Sequence, residues 1–585
     1  MQNKFPISCT LLIMIAVLFN SFSSYSEDKI RYYVSPSGVD SNNGTSVQPY
    51  ATILVAPVKV LILTGSNNHE WVKTTSYLKI IYSETGLFSV DITEKPDTLK
   101  LFDFMPYDVV VSNWNSFPKT NLRWPDVTEK ALLDYIKKGG GFVTFHASSS
   151  AFYEWPEFKE IRAAEWLMDS TWHGKNSVTR VIIENELHPV TKGMSGFRIF
   201  DEMWVDAGRN QKFEVLGSVT NDDISGRGIG NQPGIMVSGY GKGRIFHTVL
   251  GHDVRAMRNT GFKAVLTRGT EWAATGKVTP SLPREISESN PKTQKFSWQR
   301  TDTTFALFRG KELVWQYNFN TKHGKPFFHP VYTGNNRITC LSPDDHLWHL
   351  GQWFCWKYIN GVNYWEYING TYDSEGITEI RKIDFYPGPD YSAEIKLEIV
   401  YHPVKGEIVL SEFQTISISP PQQNGNIMMD YQFDFKAIAD TVLLDRTPII
   451  GEPDGKSWGG YAGLSIRFNQ DFNDSHFISA WKDNESINGR KGDWLYMGFT
   501  GLNGQQLGSQ IMVSPDSQTD GNAWYSFNTK DLPFYYFSPA ILYYKPLLLI
   551  KDQKLKLKYR VLHLLGEMET SKLENEFCNY LKSTK

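Results

Sequence analysis

Four cysteines in 585 residues leave little for a disulfide framework. Cys9 falls in the apolar start of the chain. Cys340, Cys355 and Cys578 are odd in number and share no paired spacing, which argues against a stapled fold or a thiolate zinc site; one disulfide between Cys340 and Cys355 stays open. Long basic runs are also absent and the formal net charge is -3, so nucleic acid is not an expected partner. After residue 19 no apolar run reaches the length of a membrane span. Aromatic residues, by contrast, make up 14% of the chain, and Trp and Tyr serve both cores and sugar-binding clefts.

Lys4, the apolar run CTLLIMIAVLF (9 to 19) and the small residues Ser24 and Ser26 predict an export signal over 1–26, cut after Ser26. The expectation is a soluble protein, periplasmic or secreted, without a membrane span. Residues 27–57 read as a linker. RYYVSPSGVDSNNGTSVQPYATI (31 to 53) resembles the opening segment of secreted right-handed β-helix proteins, but no β-helix coils follow it.

From 58 to 278 the pattern is α/β. VKVLILTG (58 to 65) and YDVVVSN (107 to 113) are unbroken apolar strings, as buried parallel strands require. TEKALLDYIKKGGG (128 to 141) has helical spacing and ends on glycines, GFVTFHA (141 to 147) returns as a strand, and FKAVLTRGTEWAAT (262 to 275) closes the domain as a helix. A doubly wound, flavodoxin-like domain is expected, with ligands beyond the strand C-termini. Residues 279–298, rich in Pro, Ser and charge, are the expected linker. From 299 to 568 the period becomes two, in AEIKLEIVY (393 to 401) and KLKLKYRVL (554 to 562), which predicts a large antiparallel β-sandwich. Residues 569–585 complete the chain as a surface helix. Two phosphate-loop decoys are turns: GRGIG (226 to 230) leads no strand into a helix, and GEPDGKS (451 to 457) has the wrong glycine spacing.

SNNHEW places His69 and Glu70 at the end of the first strand, and FVTFHASSSAF places His146 at a strand-to-helix turn. With HGK (173 to 175), HP (188 to 189), DEMW (201 to 204) and YGKGRIFHTVLGHD (240 to 253), these motifs resemble the ThuA-like family, associated with trehalose utilisation and related in fold to class I glutamine amidotransferases. Amidotransferase chemistry needs a thiolate at that turn. Here the turn reads Phe145-His146-Ala147 and the domain holds no cysteine, which excludes that activity; Ser148 is left as a substitute nucleophile. His146, His173, Glu202 and His252 are the candidate substrate-binding residues of this domain, set against a purely structural role.

In the second domain KPFFHPVYTGNN, SPDDHLWHLGQWFCWKYINGVNYWE (342 to 366), GYAGLSIRF (460 to 468) and PFYYFSPAILYYKPLLLIKDQKLKLKYRVLHLLG resemble the PmoA-like family. Trp348 and Leu350 stand where its members often carry a second His and an Arg. An alternating strand would put His346 and Trp348 on one face, with His349 breaking the alternation at a turn or bulge. His329, His346 and His349 could converge on a divalent metal, or act with Glu366 in moving protons at a sugar carbon. Trp348, Trp353, Asn363 and Trp365 are the candidate substrate-binding residues beside them. The alternative is a set of satisfied core histidines among packed indoles.

These readings combine into an exported carbohydrate-active protein, acting on oligosaccharides or modified sugars, with the second domain's histidines as the expected centre. Proton abstraction with elimination is favoured over glycoside hydrolysis, which normally takes two carboxylates. A non-catalytic glycan-binding protein is the rival class.

Overall fold

The structure is a computed structural model that describes residues 56–585 except 288–294, 321–323, 369–370, 372, 482–485, 518–521, 530–532 and 584–585. The expected export signal and residues 27–55 lie outside the described residues. Among the described residues no helix is long and apolar enough to cross a membrane.

The first domain's sheet has nine strands: β1 (Val58–Leu63), β2 (Phe88–Thr93), β3 (Val109–Ser112), β4 (Gly141–Phe145), β5 (Ser177–Ile183), β6 (Phe197–Asp201), β7 (Glu214–Thr220), β8 (Gln232–Tyr240) and β9 (Gly243–Thr248). Their order is β2-β1-β3-β4-β9-β8-β7-β5-β6. The first five in that order run parallel. Val60, Ile62, Val110 and Val143 are fully buried in them, because helices α1 (Trp71–Glu84), α2 (Asp126–Lys137) and α3 (Thr260–Thr275) pack on this half of the sheet. Asn259 starts α3 by accepting from the Gly261 and Phe262 amides at 2.9 and 3.2 Å. Gly276 ends it in the left-handed region at φ 76°, a conformation that costs glycine little.

The sheet is mixed, where the sequence pattern alone suggested a doubly wound parallel one. The four strands from β8 to β6 pair antiparallel. The cause is local: β8 reaches β9 through a tight turn at Gly241 (φ 64°), and such a short connection can join only antiparallel strands.

The second domain is largely antiparallel β. Its strands include β10 (Phe327–Thr333), β11 (Gln352–Cys355), β12 (Gly376–Pro387), β13 (Ala393–Pro403), β14 (Leu410–Ile418), β15 (Ile427–Ala437), β16 (Gly463–Arg467), β17 (Phe534–Pro539) and β18 (Lys554–Leu565). One sheet runs β10-β11-β16-β17 through its centre, and the other runs β12-β13-β14-β15-β18. Alternate residues of β15, among them Met429, Tyr431, Phe433 and Phe435, are buried. The two sheets meet there: the Phe354 ring of β11 lies 4.4 Å from that of Phe433. Helix α4 (Thr570–Ser583) lays Leu573, Phe577 and Tyr580 against Trp494, Leu562 and Leu564, on the outer face of that second sheet.

The described part of the expected linker is packed rather than free. Ile286 is buried in the first domain's core, while the Arg284 guanidinium donates to the Leu313 carbonyl at 2.7 Å. The first strand of the sandwich region starts at Phe296, inside the expected linker. Leu502 is buried in the first domain's core, the Arg198 amide donates to its carbonyl at 2.8 Å, and Arg258 pairs with Asp344 at 3.0 Å.

Candidate active site

Three strands of the parallel half deliver histidines at their C-terminal ends. His69 follows β1 in the loop before α1, His146 follows β4 directly, and His252 lies four residues beyond β9. Glu202 follows β6, and His173 lies on a two-residue strand paired with Trp204–Val205. One ligand atom from each of His69, His146, Glu202 and His252 lies within 4.8 Å of the others, so these four could share one metal ion. The His69 ring centroid is 4.9 Å from that of His146 and 4.8 Å from that of His252. Glu202 is the hub: its carboxylate lies 3.6 Å from His146 Nε2, 3.2 Å from His173 Nδ1 and 3.6 Å from His252 Nε2, and it accepts from Trp204 Nε1 at 3.2 Å.

Backbone and buried charge hold these groups in place. His146 sits at φ 42°, a sparsely populated conformation for a residue with a Cβ, and its Nδ1 is 2.9 Å from the Val249 carbonyl. Asp201 is buried beneath the cluster. Its Oδ2 accepts from the Gly251 amide at 2.7 Å, and its Oδ1 from the Glu202 and His252 amides at 2.9 and 3.1 Å. Burial pushes its carboxyl up to about 6. Burial also works to raise Glu202, but the surrounding imidazoles, His146 first and then His252 and His173, outweigh it and lower the carboxyl to about 2. His69 is lowered to about 3, first by burial and then by His146 and His252. A carboxylate therefore faces a His69 ring that stays neutral at physiological pH.

The cluster opens into a cavity of about 160 Å³ lined by Asn68, Asn115, Trp166, His173, Glu202 and Trp204, among others. The two indoles lie edge to face, their centroids 5.4 Å apart. Indole faces, amides and imidazoles in one concavity suit a polyhydroxylated ligand.

Of the residues singled out from sequence, His146, His173, Glu202 and His252 are brought together here. His69 was legible as the end of a strand and Asp201 as the start of the DEMW motif, but neither was counted with them, while Trp166 carried no signal. Glu70 is exposed and pairs with Lys73 at 2.8 Å. Ser148 Oγ is occupied by its own turn, donating to the Phe145 carbonyl at 2.7 Å.

The second domain's candidates are arranged differently. Residues 342–351 form a turn rather than an alternating strand: the His349 amide donates to the His346 carbonyl at 3.0 Å, and the Ser342 amide donates back to His349 at 2.8 Å. His346 and His349 are adjacent, their ring centroids 4.6 Å apart, but His329 Nδ1 is spent on Thr339 Oγ1 at 2.9 Å. Among the described residues the group of side chains close enough to share an ion does not include these three histidines. His349 is buried against Trp353 and Tyr536, at 5.2 and 5.4 Å; burial, then Arg467 and His346, push its imidazole well down. Trp353 and Trp365 are buried against one another, and Trp348 is half-buried. Glu366 is held by Lys357, by Tyr461 at 2.8 Å and by Asn363 at 2.7 Å, and Asn363 Oδ1 caps the Trp365 amide at 2.8 Å. Cys355 is buried and Cys340 partly so, and both are free thiols.

Residues 59–273 match the ThuA family, described as trehalose utilisation, and residues 305–577 match DUF6807, a family of unknown function. The chain is 33% identical to a solved ThuA-like protein from Parabacteroides merdae ATCC 43184, over 40% of this chain and 95% of that one, with a TM-score of 0.35. A ThuA-like protein from Bacteroides uniformis ATCC 8492 is 21% identical over 39% of this chain and 97% of its own, TM-score 0.32. A cold-adapted β-galactosidase from Rahnella sp. R3 is 15% identical over 46% of this chain and 36% of its own, TM-score 0.27. No curated protein matches the chain.

Proposed function

We propose, from the premise that residues 59–273 belong to the ThuA family, that this protein is an exported enzyme acting on a carbohydrate in the first domain's cavity. The observation that carries the reading is the convergence of His69, His146, Glu202 and His252 beneath a mouth lined by Trp166, Trp204, Asn68 and Asn115. Indole faces would stack on a sugar ring and the amides would bind its hydroxyls. His173, at the mouth and 44% exposed, is the imidazole placed to exchange a proton with a bound sugar carbon or oxygen.

Elimination after proton abstraction fits this site better than two-carboxylate hydrolysis. Glu202 is the carboxylate among the cavity's lining residues, and Asp201 beneath it is committed to three backbone amides, whereas hydrolysis normally takes a pair flanking the bond. The PmoA-like resemblance of the second domain contributes no chemistry to this reading. That domain's packed histidine and tryptophan cluster supports the sheet rather than a reacting sugar.

The test is incubation of the full chain with trehalose and a panel of other disaccharides and uronate-containing oligosaccharides. New reducing ends are followed alongside the ultraviolet absorbance of an unsaturated product. Turnover lost in His173→Gln and Glu202→Gln, each still folded, supports the reading. Sugar binding without turnover would instead make the protein a glycan-binding one, and turnover that survives both substitutions would move the active site elsewhere.

A further inference from the structure

The first domain's cluster contains a mismatch of hydrogen-bonding groups. His146 Nδ1 faces the Val249 carbonyl at 2.9 Å, and a carbonyl only accepts, so Nδ1 carries the proton and Nε2 presents its lone pair. That Nε2 is buried and has no hydrogen-bond partner, yet it points at the Glu202 carboxylate 3.6 Å away. Two acceptors facing each other in a largely buried site repel unless something positive, a proton or a metal ion, lies between them.

The same polarity recurs at His69. Asn67 Nδ2 donates to the Asn113 carbonyl at 3.1 Å, which turns Asn67 Oδ1 toward His69 Nδ1, also at 3.1 Å. His69 therefore donates through Nδ1 and presents the lone pair of Nε2. Backbone and amide oxygens that fix the far nitrogen of an imidazole are the outer shell typical of metal-ligating histidines. The spacings fit as well. Four atoms at about 2.0–2.1 Å from one tetrahedral ion lie about 3.3–3.4 Å apart, close to the 3.6 Å of the His146–Glu202 and His252–Glu202 pairs. The widest separation in the set, 4.8 Å at most, closes with small side-chain rotations.

We propose that His69, His146, Glu202 and His252 bind one divalent transition-metal ion. Three imidazole nitrogens and one carboxylate oxygen favour a borderline ion of the zinc class over calcium or magnesium, which take oxygen ligands. The inference rests on the reading of this cavity as the active site. There the ion would polarise a sugar oxygen while His173, outside the ligand set, handles the proton.

The experiment uses the full chain, stripped with a chelator and titrated with Zn²⁺ by calorimetry, with metal content measured after dialysis. One equivalent should bind, and saturating Zn²⁺ should raise the melting temperature. Affinity should fall at least tenfold in His146→Ala and in the milder Glu202→Gln, while His346→Ala in the second domain binds as wild type does. Failure to retain one equivalent would overturn the metal site, and so would wild-type affinity in a folded Glu202→Gln or loss of binding in His346→Ala. The two readings separate cleanly. Undiminished sugar turnover in chelated protein would overturn the ion's role and leave the sugar enzyme standing. Stoichiometric Zn²⁺ without turnover of any sugar would sustain the metal site and overturn the sugar reading.

Discussion

Asp201→Asn is the sharpest probe of how the first domain holds its site. Both carboxylate oxygens of Asp201 face only N–H donors: Gly251 at 2.7 Å on Oδ2, and Glu202 and His252 at 2.9 and 3.1 Å on Oδ1. An asparagine must turn its NH₂ toward one side or the other, so either orientation sets donor against donor. Losing a charge-assisted hydrogen bond costs about 1.5–3 kcal/mol, and leaving a buried N–H unmet costs about 1–3 kcal/mol more. The substitution also removes a buried charge. Burial raises the carboxyl from 3.8 to about 6, so neutralising it returns about 3 kcal/mol at neutral pH. The balance runs from near zero to a net loss of about 3 kcal/mol, so the melting temperature falls by a few degrees at most. The kinetic effect should be larger than that loss suggests, because the 251–252 turn carries His252. A misplacement of about 1 Å can cost on the order of a hundredfold in turnover. Asp201 is a positioning residue, so kcat should fall while KM changes little, the indoles and amides of the mouth being untouched. Melting curves paired with kinetics per folded molecule decide it. Unchanged turnover per folded molecule would refute the tether, whatever the melting point does.

Trp204→Ala removes a stacking face worth about 0.5–1.5 kcal/mol and the indole hydrogen bond to Glu202; KM for the sugar should rise up to about tenfold, and an unaltered KM would remove Trp204 from the binding face. His349→Ala opens a void among Trp353, Trp365 and Tyr536 and should cost about 2–5 kcal/mol with near-normal turnover in the folded fraction; a turnover loss of orders of magnitude at an unchanged melting point would put the chemistry back in the second domain. Glu412, buried beside the Tyr401 hydroxyl, is raised by that burial from 4.5 to about 8. The folded chain keeps this proton after the unfolded chain has lost it, so its contribution is full below 4.5 and declines as pH rises to about 8, by about 1.4 kcal/mol per pH unit. Denaturant unfolding of Glu412→Gln across that window should show a slope shallower by one proton, and parallel profiles would contradict the raised value.

The strands of the first domain were legible because burial on both faces leaves an unbroken apolar string, as in VKVLIL and GFVTF. The sandwich strands were legible because one buried face imposes a period of two, as along Ala393–Pro403. Helix α2 announced itself through its spacing and its glycine stop. Local sequence also placed His146 at a strand end, and strand C-termini are where an α/β sheet collects ligands. The antiparallel half of the first sheet was not legible, because pairing direction depends on which strands meet after a short turn. Tertiary structure alone separated the two groups of histidines. SPDDHLWHLGQWFC looked the richer in imidazoles and indoles, yet it folds back on itself and buries His349 among aromatic rings. His69, His146, Glu202 and His252 are spread over more than 180 residues with nothing in their spacing to join them. They meet because β1, β4 and β9 end on the same side of one sheet and because Asp201 draws the 251–252 turn onto β6. Sequence supplied the residue types and the period of each element; the register and crossing of distant strands decided which side chains share a pocket.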